Sequence, residues 1–143
     1  MLIRIIAGSV AGAITMYLSG FLIFGLLLAD YVKANTHQYA GLVKDPPEHV
    51  SLFLFNLVWA ALLTIIFVKW AGIKSFISGM GAGALIFFLM NLGIDLSFNA
   101  FMNLFTGFAP MAVDVLASTF LGALSGGVIG FVLGKFESEA AGE

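Results

Sequence analysis

The stretch from Ile5 to Leu28, IIAGSVAGAITMYLSGFLIFGLLL, carries no Asp, Glu, Lys or Arg and is interrupted only by glycines and small polar residues such as Thr15 and Ser19. A helix rising about 1.5 Å per residue needs about 20 such residues to cross a hydrocarbon core about 30 Å thick. The run also outlasts the apolar centre of a secretory signal, which spans about 7–15 residues. No small-residue cleavage site followed by a soluble domain comes after it. The stretch therefore predicts a retained transmembrane helix in a mature chain that starts at Met1.

Three further segments match it, centred on Val50 to Val68, Phe76 to Phe98 and Met111 to Leu133. With their flanks the four spans cover residues 5–28, 46–70, 75–98 and 110–134, and residues 29–45 form an outer loop. The expectation is one all-α membrane domain over 1–143, a four-helix up-and-down bundle surrounded by lipid. Composition agrees: 61% of residues are hydrophobic and only 10% charged, with a mean hydropathy of +1.08, whereas soluble domains average about 25% charged residues.

The same numbers exclude several functions. Six Lys and Arg against eight Asp and Glu leave a net charge of −2, so no basic field exists to hold a nucleic acid. Without cysteine there is no disulfide, thiolate metal site or thiol nucleophile. Neither histidine falls inside an apolar segment, His49 standing just before Val50 to Val68, which removes a His-ligated intramembrane haem. His37 and His49 stand twelve residues apart in the loop region, a spacing that fits no metal motif. Phosphate-binding loops and nucleophile elbows are missing too. The sequence predicts a non-catalytic protein without metal or cofactor.

Boundary chemistry refines the spans. Asp45-Pro46-Pro47-Glu48 offers a capping acid, a proline for the first helical position and an acid at the third, so the second helix is expected to start there. Lys69 and Trp70 suit the opposite interface, and Gly72 to Ser75 forms a tight turn into the third helix. Arg4, Lys69, Lys74 and Lys135 fall on one side and Lys33 and Lys44 on the other. The excess of basic residues places both termini in the cytoplasm.

Two features bear on function. In the fourth helix Ser118, Gly122, Gly126, Gly130 and Gly134 recur every four residues, and Gly8 with Gly12 and Gly79 with Gly83 repeat the spacing. Lipid supplies no hydrophobic force between helices, so small stripes promote association by letting backbones approach. They serve either packing within the chain or a seam for another subunit. The second feature is depth. Counted along the helices, Asp95 lies about 28 Å from Phe76 and Asp114 about 30 Å from Gly134, the same outer level. Asn91 is one turn deeper than Asp95, Asn56 is deeper still on the second helix, and Asp30 ends the first helix on that side. Ionisable groups at such depth are costly and normally face a bundle interior or water. The helix dipole favours a charged carboxylate at Asp114, near a helix start, more than at Asp95, near a helix end. The pair could share a proton or a cation, with Lys33 or Lys44 as alternative counter-ions. Asn91, Asp95, Asn99 and Asn103 also recur every fourth residue. Either the third helix continues through them or the segment from Asn99 to Pro110 folds back.

The glycine-rich first span, the loop ending Val43-Lys44-Asp45-Pro46-Pro47, the Trp70-Ala71-Gly72 turn and the glycine-striped last span together resemble small four-span bacterial inner-membrane proteins. That resemblance implies a multi-pass inner-membrane location and carries no activity. The leading expectation is a helix-packing accessory or structural subunit of a homodimer or larger membrane complex. The alternative is a small transporter or channel with an outer carboxylate and amide site, at Asp95, Asp114, Asn91, Asn56 and Asp30, for a cation, proton or polar solute.

Overall fold

The computed structural model describes residues 1–140, with side chains through Phe136. Helix α1 spans Leu2–Gly20 and continues as a wider, π-helical segment over Phe21–Leu27. A short helix α2, Ala29–Asn35, follows. Helix α3, His49–Ile66, also ends in a π-helical turn, Phe67–Ala71. Helices α4, Phe76–Phe101, and α5, Phe108–Ala140, complete the chain. Among the described residues, four helical stretches are long and apolar enough to cross a membrane: Leu2–Leu27, His49–Ala71, Phe76–Phe101 and Phe108–Phe136. Among the described residues, four crossings put the start of α1 and the end of α5 on one face of the bundle and the 29–48 and 102–107 connections on the other, here called the loop side.

Local chemistry departs from expectation at three places. The cap of α3 is Glu48 rather than Asp45: its carboxylate accepts from the backbone N–H of Val50 at 3.0 Å and of Ser51 at 2.8 Å. Both prolines therefore precede the helix, because the acid nearest the first free N–H groups takes the capping position. The outer loop is not irregular throughout. Asp30 lies exposed in the first turn of α2 instead of ending α1. Beyond α2 the loop is tied to the other connection, with His37 N–H donating to the Leu104 carbonyl at 2.8 Å and Thr106 N–H to that of Asn35 at 3.0 Å. Finally, α4 stops at Phe101, so the four-residue polar series stays helical through Asn99 and excludes Asn103. At the opposite face, Gly72 adopts φ +60° and closes α3, a conformation open to glycine at little cost.

Packing is uneven around the bundle. Helix α4 lies along α5, and α1 lies against both α3 and α5. Helices α3 and α4, although joined by the short 72–75 turn, share no extended interface. The order across the bundle is thus α3, α1, α5, α4, with one edge open. The α4–α5 contact is made by backbone: Gly79 and Gly83 abut Gly122 and Gly126, Gly130 sits against the carbonyl of Ser75, and Gly134 against that of Lys74. A methyl group on Gly8 would stand 2.7 Å from Thr64 Cγ2, and one on Gly12 2.6 Å from Ile129 Cδ1. These two glycines let α1 close on α3 and α5. In this terminal half the core is apolar, built from Ala60, Leu63, Phe67, Ile129 and Leu133. Its buried hydroxyls, Ser9, Thr64 and Ser125, each donate to the carbonyl four residues back, which removes the cost of an unpaired group.

Candidate ligand site in the loop-side half

On the loop side the missing α3–α4 contact becomes a cavity of about 780 Å³. Its floor is formed by Met16, Trp59, Phe87 and Leu121, the lining residues nearest the terminal half on α1, α3, α4 and α5. Trp59 and Phe87 meet edge to face with ring centroids 6.2 Å apart, an arrangement favoured by aromatic quadrupoles. Above the floor the walls are mainly apolar, and Phe21, Phe24 and Gly25 contribute from the π-helical part of α1. Such widened turns recur at functional sites. Half-exposed side chains, among them Phe55 on α3 and Phe98 on α4, stand at the open edge.

A few polar groups converge within these walls. Asp95 is 3% exposed, and its Oδ2 has no hydrogen-bond partner among the described residues. The carboxyl groups of Asp95 and Asp114 are in side-chain contact across the α4–α5 interface. Asn91, one turn deeper on α4, donates its Nδ2 to the Phe87 carbonyl at 2.9 Å. Asn56, buried on α3, does the same to Leu52 at 2.8 Å. Each amide thus satisfies a donor on its own helix and keeps an acceptor oxygen. Ser118, the loop-side member of the four-residue series in α5, is buried and lines the cavity. The lining holds two carboxyl groups and two amides but no Lys or Arg, so Lys33 and Lys44 are not counter-ions inside it.

Four of the five polar residues singled out in the sequence, Asp95, Asp114, Asn91 and Asn56, therefore share one cavity, whereas Asp30 does not line it. The aromatic part of the site was not singled out. A signal for it exists: Phe87, Asn91 and Asp95 are four apart, and Leu52, Asn56 and Trp59 follow a four-then-three spacing, so each set occupies one helix face. His49 lies at the mouth of the bundle, where its Nδ1 is 2.9 Å from the Tyr17 hydroxyl.

Four apolar spans around a polar-tipped cavity define a multi-pass, all-helical membrane protein. Comparison with family models, with curated proteins and with solved structures finds no match, and the functional reading rests on the site itself.

Proposed function

We propose that this protein is a small, non-catalytic transporter of the bacterial inner membrane whose substrate site is the loop-side cavity. The observation that carries this reading is Asp95: a carboxyl group buried at membrane depth, opening on a cavity, with one oxygen unpartnered. Burying such a group without a partner costs about 1–3 kcal/mol or more, a cost that packing does not require at a position where an apolar residue fills the same space. A substrate carrying a positive charge or hydrogen-bond donors supplies the missing partner. The cavity size supports this, since small-molecule sites occupy about 300–1,000 Å³ and combine apolar walls with few polar groups. The distribution of Arg4, Lys69, Lys74 and Lys135 against Lys33 and Lys44 supports cytoplasmic termini, with the cavity facing outward. The floor at Trp59 and Phe87 favours a carrier that changes conformation over an open channel.

The subunit reading draws on the glycine series, but those glycines are used against α4 within the chain, so an oligomer seam would need another surface. The test is uptake of organic and inorganic cations into proteoliposomes. Transport by the natural chain and its loss in Asp95→Asn support the proposal. Equal flux in both, or in neither, contradicts it.

A further inference from the structure

The chemistry of the cavity restricts what it accepts, and this deepens the proposed transport function, on which it rests. Three observations bear on the substrate class. First, the lining carries two carboxyl groups, Asp95 and Asp114, with one Asp95 oxygen unpartnered, beside the amides of Asn91 and Asn56, each of which spends a donor on its own helix, and it holds no cationic side chain. Acceptors in excess match a donor or a cation, and they repel anions. Second, those groups share the lining with aromatic rings, including Tyr17, Trp59, Phe87 and Phe98. A metal ion keeps its water or takes several oxygen ligands at once, and no group of three or more carboxyl or imidazole side chains converges among the described residues. An ammonium or phosphonium group within about 6 Å of such rings gains cation–π attraction, strengthened by desolvation. Third, the open edge between α3 and α4 faces the position of lipid. Phe55 and Phe98 at that edge are 56% and 37% exposed, so the lateral rim of the cavity is apolar.

We propose that the cavity binds amphiphilic organic cations, molecules with an apolar body and one positive centre, which enter sideways from the membrane between α3 and α4. The apolar body replaces lipid against Phe55, Phe98 and Ile94, and the positive centre settles against Asp95 and Asp114. The Asp95 Oδ2 then gains its partner. Charge, not shape alone, selects the ligand, and a neutral or anionic molecule of the same outline is refused.

Tetraphenylphosphonium and tetraphenylborate are nearly identical in size and opposite in charge, and they make the decisive pair of probes. Binding is read from Trp59 fluorescence in the full chain carrying Trp70→Phe, reconstituted in lipid nanodiscs. The expected result is saturable quenching by tetraphenylphosphonium, none by tetraphenylborate beyond that in empty nanodiscs, and affinity lowered on the order of tenfold or more in Asp95→Asn. Equal binding of the two ions in the natural chain overturns the proposal without recourse to any variant. Cation binding that is unchanged in a folded Asp95→Asn protein overturns it as well. Attaching a bulky maleimide to Phe55→Cys should block the entrance and abolish binding that the unlabelled variant retains. Binding left intact in the labelled protein contradicts lateral entry. The two readings fail separately. Phosphonium binding without uptake removes the transport function and leaves the ligand class standing. Asp95-dependent uptake of an inorganic cation without phosphonium binding removes the ligand class alone.

Discussion

Trp59 of α3 and Phe87 of α4 meet edge to face across the one open edge of the bundle, 6.2 Å between ring centroids, and their contact divides the protein into two unlike halves. Below it lie backbone-to-backbone glycine packing and self-satisfied hydroxyls. Above it lie a cavity and a carboxyl pair. A barrier at this depth gives the first expectation. The chain has no cysteine, so single cysteines report accessibility directly. Asn91→Cys should react with a small, uncharged, lipid-soluble thiosulfonate reagent, and Ser125→Cys, fully buried below the floor, should not. In a Trp59→Ala background the protection of Ser125→Cys should fall. Equal reactivity at both depths in the natural background would mean that the floor does not seal.

The α4–α5 contact predicts a sharp contrast between glycines. A Cβ at Gly126 runs into the Gly79 carbonyl and stands 2.9 Å from Gly83 Cα, and backbone cannot yield as a side-chain tip can. Gly126→Ala should destabilise by about 1–3 kcal/mol, measured by thermal or denaturant unfolding in detergent. Gly81→Ala has open space around the added methyl and should be neutral or gain about 0.5–1 kcal/mol from helix propensity. A Gly126→Ala protein as stable as Gly81→Ala would be incompatible with the close approach of α4 and α5.

Asp95 should trade stability against binding. Asp95→Asn replaces a carboxyl–carboxyl contact by an amide that can donate to Asp114, and it should raise the unfolding midpoint by an amount equivalent to about 1 kcal/mol while cation affinity falls. Destabilisation by this isosteric change would identify Asp95 as a structural group.

Glu48 provides a pH-dependent element outside the spans. Hydrogen bonds from Ser51 and from the backbone of Ser51 and Val50 hold its carboxyl below the usual value of 4.5. A lowered folded-state value means that the cap stabilises the start of α3 above pH 4.5, and that this contribution is lost as the pH falls through the folded value. Side-chain carboxyl NMR should find Glu48 titrating below that value, with Ser51→Ala moving it back up. An unshifted Glu48 would remove the cap from the account.

The four spans were legible because their length and lack of charge have one solution in a bilayer: each backbone polar group must be satisfied within its own helix. The common level of Asp95 and Asp114 was legible for a related reason, since a rise of about 1.5 Å per residue turns sequence distance into depth. Which helices touch was not. Neither Trp59 nor Phe87 declares from its surroundings in the chain that α3 and α4 stand apart, because aromatic residues facing lipid, a neighbouring helix or a cavity look alike in sequence. The Glu48 cap was displaced by three residues for a local reason, as two acids flank the prolines and either can reach free N–H groups. The π-helical turn at Phe21–Leu27 has no periodic signature in a run that is apolar on every side.

The central claim is that Asp95 and Asp114 form a site reached from within the membrane. A hydrophobic carbodiimide added to the reconstituted protein, followed by peptide mass mapping, tests it most directly. The account predicts one adduct per chain, on Asp95 or Asp114, suppressed by tetraphenylphosphonium and abolished in the Asp95→Asn, Asp114→Asn double variant. Adducts confined to loop carboxyls such as Asp30 or Asp45, or adducts on the pair that no cation suppresses, would contradict it.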